Sequence, residues 1–403
     1  MNRKNKVELL APAGNLEKLK IAILYGADAV YIGGKKFSLR ARASNFTISD
    51  IVEGCLFAKK HHAKIYVTMN IIPHEEDFEG IEEYLKDLEK AGVGGIIVSS
   101  MMIARIAKKV APKLERHIST QLSTTNSMAI NQYHKMGFSR VVLARETLPE
   151  DMERIARESK AELEVFIHGG MCSSYSGRCM LSNHLTNRDA NRGGCAHSCR
   201  WNYDLFKNTE LINDKPDFFN IGAKDLTGVT SIFRLIDMGI KSLKIEGRMK
   251  SLYYIATVVR CYRMLIDEYY KNNCSPIGID LDFYYQEIAK AENRLSSTGF
   301  LEGKVTVGEQ LYNIRNEMPT KEFLGIVLDY DRASGVATIE QRNYFEVEDD
   351  VEFFGPNLGN TRFKVMKMMD EDGNELMVAR HPLQIIKMKV PFKVNKFDMV
   401  RRV

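Results

Sequence analysis

Short β-branched runs alternate with amphipathic helical stretches over the first 300 of the 403 residues, and this alternation restricts the fold more than any other feature. Val7–Pro12, Ala29–Ile32, Lys64–Met69, Gly95–Ser99, His117–Leu122, Arg140–Ala144, Glu162–Ile167 and Ser242–Ile245 read as strands. The intervening segments read as helices, the first opened by Asn15 as an N-cap, and a long helix follows the last strand over about 252–270. Phe219–Ile221 is a further strand-like run that we assign to an insertion. Eight strand-then-helix units predict an α/β fold, a closed TIM-type (β/α)8 barrel over residues 1–300. No Gly-x-Gly-x-x-Gly follows the first strand, which argues against an open dinucleotide-binding sheet.

The pattern changes after about residue 305. Phe323–Leu328, Gly335–Gln341, Asp350–Phe354, Arg362–Met369 and Glu375–Val378 alternate with period two, separated by turn signals such as Asp331–Gly335 and Asp370–Asn374. They predict a small C-terminal antiparallel β-barrel domain over 305–403. A hydrophobic content of 44% is enough for one large core and a smaller second one.

The alternation also breaks within the barrel, between Gly169 and about Pro216, in a stretch rich in Gly, Ser, Asn, Cys and Arg. Four of the seven cysteines fall here, as Cys172, Cys179, Cys195 and Cys199. The chain has no apolar run long enough to span a membrane, and its basic start lacks the apolar stretch of a signal peptide, so we expect a cytoplasmic protein without disulfides and no membrane partner. Four thiolates are the ligand set of an iron–sulfur cluster. Zinc is the alternative, but structural zinc sites favour paired short spacings, which only Cys195 and Cys199 show. Unliganded thiols are the third reading. The insertion follows the seventh strand, on the face where barrel enzymes carry their chemistry. Cys55 and Cys261 lie in helical segments and read as packing residues.

Strand ends on that face supply further candidates. His168 and Glu246 are candidates for proton transfer. Asn70, Gln121, Arg145, Lys244 and Arg248, with Arg40 and Arg42 in the loop after the second strand, are candidates for binding an anionic substrate. Arg178, Arg188, Arg192 and Arg200 make the insertion basic and suit phosphate. From residue 301 on, 15 Lys+Arg stand against 17 Asp+Glu, so the first 300 residues carry +7 of the chain's +5 total. Such an excess permits a polyanionic partner. No Gly-x-Ser-x-Gly and no His-Glu-x-x-His occurs.

The run Glu164–Cys172, continuing through Gly177-Arg178-Cys179-Met180-Leu181-Ser182, closely resembles the signature of the peptidase U32 family, with Gly170 where that signature usually has Ala or Ser. Glu8–Gly14, Asp28–Gly33, Leu39–Arg42, Lys224-Asp225-Leu226 and Leu243–Ser251 also look like the family, whose similarity runs through most of residues 7–300. The C-terminal β-domain resembles the extra domain of longer members. Several members are oxygen-independent hydroxylation proteins with a 4Fe–4S cluster on four cysteines. Their substrates include the tRNA wobble uridine (giving 5-hydroxyuridine, with prephenate as the implied oxygen donor), a ribosomal RNA cytidine and ubiquinone precursors. In some members one ligand lies just after Lys-Asp-Leu. This chain has Thr227 there, so the resemblance implies Cys199 as the fourth ligand. The length and domain content resemble the tRNA uridine branch. The resemblance therefore implies an iron–sulfur RNA-hydroxylating enzyme acting on tRNA or rRNA. A collagenase-like peptidase, and a non-catalytic RNA-binding partner of a second U32 chain, are the alternatives.

Overall fold

The computed structural model describes all residues except 1–5, 36, 40–44, 214–218, 293 and 312–321. It divides into two units, Met1–Gln286 with Asn293–Met318, and Glu287–Glu292 with Pro319–Val403.

In the first unit, the eight strands Glu8–Pro12, Ala29–Gly33, Lys64–Met69, Gly95–Val98, Glu115–Ile118, Arg140–Val142, Glu162–Gly169 and Ser242–Ile245 pair in parallel, each with the next. The eighth returns to the first, with Leu9 opposite Leu243, and closes the barrel. Residues on both faces of these strands are buried, as in Leu9-Leu10-Ala11 and Ala29–Gly33, which is what a parallel sheet covered by helices requires. Asn15 accepts the Lys18 N–H at 2.9 Å and starts the helix Leu16–Leu24. Thr47 and Asp50 form a reciprocal capping box at the helix Ile48–Lys60. The 20-residue helix Leu252–Lys271, capped by Ser251, buries a broad apolar face including Ile255, Val259 and Ile266.

Several boundaries differ from the sequence reading, and three bear on the site. The fifth strand stops at Ile118, because the Ser119 hydroxyl takes the Gln121 N–H and Thr120–Leu122 turns as a 3₁₀ segment. The seventh strand runs on to Gly169. Its pairing with the eighth slips by one, from Phe166 opposite Lys244 to His168 opposite Ile245. Of Phe219–Ile221, Phe219 forms only an isolated bridge with Tyr203. Asp225–Thr227 instead pairs antiparallel with the end of the seventh strand and parallel with Ser296–Ser297.

The second unit holds an eight-stranded antiparallel sheet curved as a half-barrel. Its main strands are Phe323–Asp331, Val336–Gln341, Asp350–Phe354, Thr361–Lys364, Ile385–Lys389 and Met399–Arg402. Leu324, Val327, Ile339, Phe345, Val351, Phe353, Ile386 and Val400 fill its core. The buried Arg401 guanidinium donates to Glu352 from Nε at 2.7 Å and to Glu287 from Nη2 at 2.9 Å, which neutralises a charge that could not otherwise be buried.

Candidate active site

The barrel interior is polar near its axis. Lys244 on the eighth strand donates to Glu164 on the seventh at 2.7 Å, and both side chains are almost fully buried. Arg140 reaches Glu8 at 2.5 Å, Glu162 at 2.8 Å and Glu164 at 3.4 Å. Burial opposes ionisation of Glu164, but Lys244 and Arg140 outweigh it and hold its pKa below the ordinary carboxylate value. Burial lowers the Lys244 pKa, with Glu164 acting against that shift. The ammonium also lies over the Tyr31 and Phe166 rings, at 4.6 and 5.2 Å from their centroids.

Above this layer, at the C-terminal ends of the strands, lies a cavity of about 490 Å³. All four cysteines of the insertion line it, together with Asn70, Gln121, Arg145, Lys244, Glu246 and Arg248 from the strand ends. Arg145 stacks on Phe166 at 3.7 Å. Arg248 donates to Ser38 at 2.6 Å and passes the second strand where Gly33 leaves room, since a Cβ at that glycine would stand 1.7 Å from the guanidinium. Arg178 is exposed, and it is not among the described lining residues. Its Nε donates to the Gln121 carbonyl at 2.7 Å, so it fastens the insertion to the rim instead of facing the cavity. Arg40 and Arg42 lie outside the described residues.

His168 is placed differently from the expectation. The one-residue slip between the seventh and eighth strands puts it on the face of Ile245, not that of Lys244. The ring sits between Tyr254 and Tyr262 of the long helix, with Nδ1 3.2 Å from the Tyr262 hydroxyl and only 1% of the residue exposed. Burial, reinforced by Lys250, lowers its pKa to about 3. A neutral, enclosed imidazole orders the wall behind the cavity. It is not poised to exchange protons with a substrate there.

The insertion is built by its own polar side chains. Asn191 grips the Cys179 backbone twice, accepting from its N–H at 3.3 Å and donating to its carbonyl at 3.0 Å. The Ser182 hydroxyl accepts the Ala196 N–H and donates to the Arg188 carbonyl, both at 3.0 Å. Arg188 reaches the Cys195 carbonyl, and Arg192 is engaged by Asp77 and Glu76. Of the four arginines expected at phosphate, Arg200 is the one lining the cavity.

The sequence reading missed a second feature of the wall. Asp225, nearly buried, is met by Lys250, Arg294 and Arg200 at 3.4, 3.6 and 3.8 Å. These three cations also line the cavity, so among the described residues it presents, with Arg145, Lys244 and Arg248, six cations against one lining carboxylate, Glu246. Only the Lys-Asp-Leu motif hinted at Asp225, because its partners come from three distant segments.

The four thiols are free and half-buried. Burial raises the Cys199 pKa, the Ser173 hydroxyl and Arg200 act against that, and the nearby Cys172 and Cys195 add to it. Among the described residues no three His, Cys, Asp or Glu side chains are set to hold a single metal ion. As donors, four thiols lining one cavity with cations in the same lining suit a negatively charged iron–sulfur cluster, whose ligands stand further apart than those of one ion.

Fold and site together define a TIM-type barrel protein with a thiol-lined, cationic cavity at its C-terminal mouth. Residues 14–310 match the model of peptidase family U32, and residues 319–401 match the U32 C-terminal domain. The chain belongs to peptidase family U32. It is 48% identical over 403 residues to tRNA hydroxylation protein P1 of Bacillus subtilis, covering 98% of this chain and 95% of that one. It is 37% identical to the 23S rRNA 5-hydroxycytidine C2501 synthase of Escherichia coli over 65% of this chain and 40% of that one. It is also 30% identical to a collagenase of Porphyromonas gingivalis over 96% and 95% of the two chains.

Proposed function

We propose that this chain is an RNA-hydroxylating enzyme of the U32 family that forms 5-hydroxyuridine at the wobble position of tRNA. The observation that carries this reading is the cavity itself, which four thiols and at least six cations line together at the active face of the barrel. The near full-length likeness to a tRNA hydroxylation protein supports it. Cys172, Cys179, Cys195 and Cys199 would hold a 4Fe–4S cluster, which when bound supplies redox or substrate-activating chemistry. Arg145, Lys244 and Arg248 at the cavity floor suit a small dicarboxylate such as prephenate as oxygen donor. The cations nearer the insertion, Arg200, Lys250 and Arg294, suit RNA phosphates. Glu246, the lining carboxylate, is the residue placed to accept or deliver a proton.

The likeness to a collagenase keeps a peptidase reading open to experiment, but a single activated nucleophile does not account for four thiols lining one cavity. Both readings meet the same test. Protein purified without oxygen is assayed for iron and sulfide, and tRNA nucleosides from a deletion strain are analysed. Stoichiometric iron and loss of 5-hydroxyuridine derivatives support hydroxylation. Colourless, zinc-loaded protein that cleaves gelatin, with Cys172→Ala inactive, supports the peptidase. A second U32 chain as partner would appear as stoichiometric co-purification.

A further inference from the structure

The cavity wall is cationic, and beside it several large apolar side chains are exposed. The only tryptophan of the chain, Trp201, directly follows the lining residue Arg200 and is 43% exposed. Tyr175, between the lining residues Ser173 and Gly177, is 54% exposed. Met180, next to Cys179, and the lining residue Met249 are similarly exposed. Large apolar side chains left in water beside a binding cavity mark a contact surface.

Both aromatic residues sit on anchored turns. The Trp201 N–H donates to the Ser198 carbonyl at 3.1 Å, and the Tyr203 hydroxyl donates to the same carbonyl at 2.6 Å. Beside Tyr175, the Ser176 N–H and hydroxyl both donate to Glu146 at 2.6 Å. An exposed ring on a fixed backbone loses little freedom when something stacks on it.

We infer that this rim is a stacking collar for unpaired RNA bases, with Trp201 as its main platform and Tyr175 as its second. The inference rests on the RNA reading above and identifies the part of the RNA that is held. Charge selects the partner: exposed aromatic side chains adjoining in sequence the residues that line a strongly cationic cavity match a single-stranded polyanion whose bases are free to stack. A paired stem hides those faces, so the collar favours a loop over a duplex.

The test uses the full-length protein with its natural metal content. The probes are an RNA stem-loop with unpaired uridines and the fully paired duplex of the same stem. Having one tryptophan makes the readout specific. The stem-loop should shield Trp201 from acrylamide quenching, and the duplex should not. W201A should weaken stem-loop binding about five- to a hundredfold by fluorescence anisotropy, while W201F stays near wild type and duplex binding is unchanged. Normal stem-loop affinity in W201A with Trp201 still quenchable overturns the collar but leaves the RNA reading intact. Shielding that rises with protein concentration without RNA overturns it in favour of contact between copies of the chain. Failure to bind either RNA overturns the RNA reading, and the collar with it.

Discussion

At the scale of single residues, the buried charges carry the sharpest consequences. Lys244 and Glu164 pair at 2.7 Å with almost no exposure, so removing Lys244 leaves the buried Glu164 only the longer contact to Arg140, at 3.4 Å. Lys244→Met should cost about 3–5 kcal/mol in urea unfolding, and the double variant Lys244→Met/Glu164→Leu should recover part of that loss. His168 gives a pH signature. Its pKa is about 3 in the folded chain and near 6.5 when unfolded, so between these values the unfolded chain binds the extra proton. Stability is present in full above about pH 6.5 and falls as pH drops toward 3, by on the order of several kcal/mol. Melting temperatures measured across that range should fall less steeply for His168→Gln than for wild type.

At the scale of elements, the barrel was legible because its strands bury both faces and its helices announce their starts, as at Asn15 and Thr47. Boundaries were less legible where a side chain redirects the backbone. Ser119 ends the fifth strand early, and the one-residue slip beside Lys244 turns His168 away from the cavity it was expected to face. Neither event leaves a mark on hydrophobic periodicity. In the C-terminal unit, Ile385–Lys389 and Met399–Arg402 went unread because lysines and arginines interrupt their apolar pattern. The four cysteines were legible as a group, whereas the grip of Asn191 on Cys179 was not. If these thiols hold the proposed cluster, Asn191→Ala should leave all four in place yet speed iron loss to a chelator, followed by the decay of visible absorbance under anaerobic conditions.

At the scale of the whole molecule, charge is unevenly distributed, with +7 on the first 300 residues and −2 on the rest. Three of the cations that line the cavity, Arg200, Lys250 and Arg294, come from segments far apart in sequence, so their convergence on Asp225 is a product of the fold and could not be read from spacing. If they bind RNA phosphates, tRNA affinity should fall steeply with salt. Lys250→Ala and Arg294→Ala should each weaken it and lower the slope of log K against log salt by about one. Titrations at several salt concentrations check this directly.

The most direct test of the central claim is the 5-hydroxyuridine content of tRNA from a deletion strain grown without oxygen and complemented with this chain. Wild type should restore the modified nucleoside, and Cys199→Ser, expressed at equal level, should not. Full restoration by Cys199→Ser, or none by wild type, would contradict the assignment of these thiols to tRNA hydroxylation.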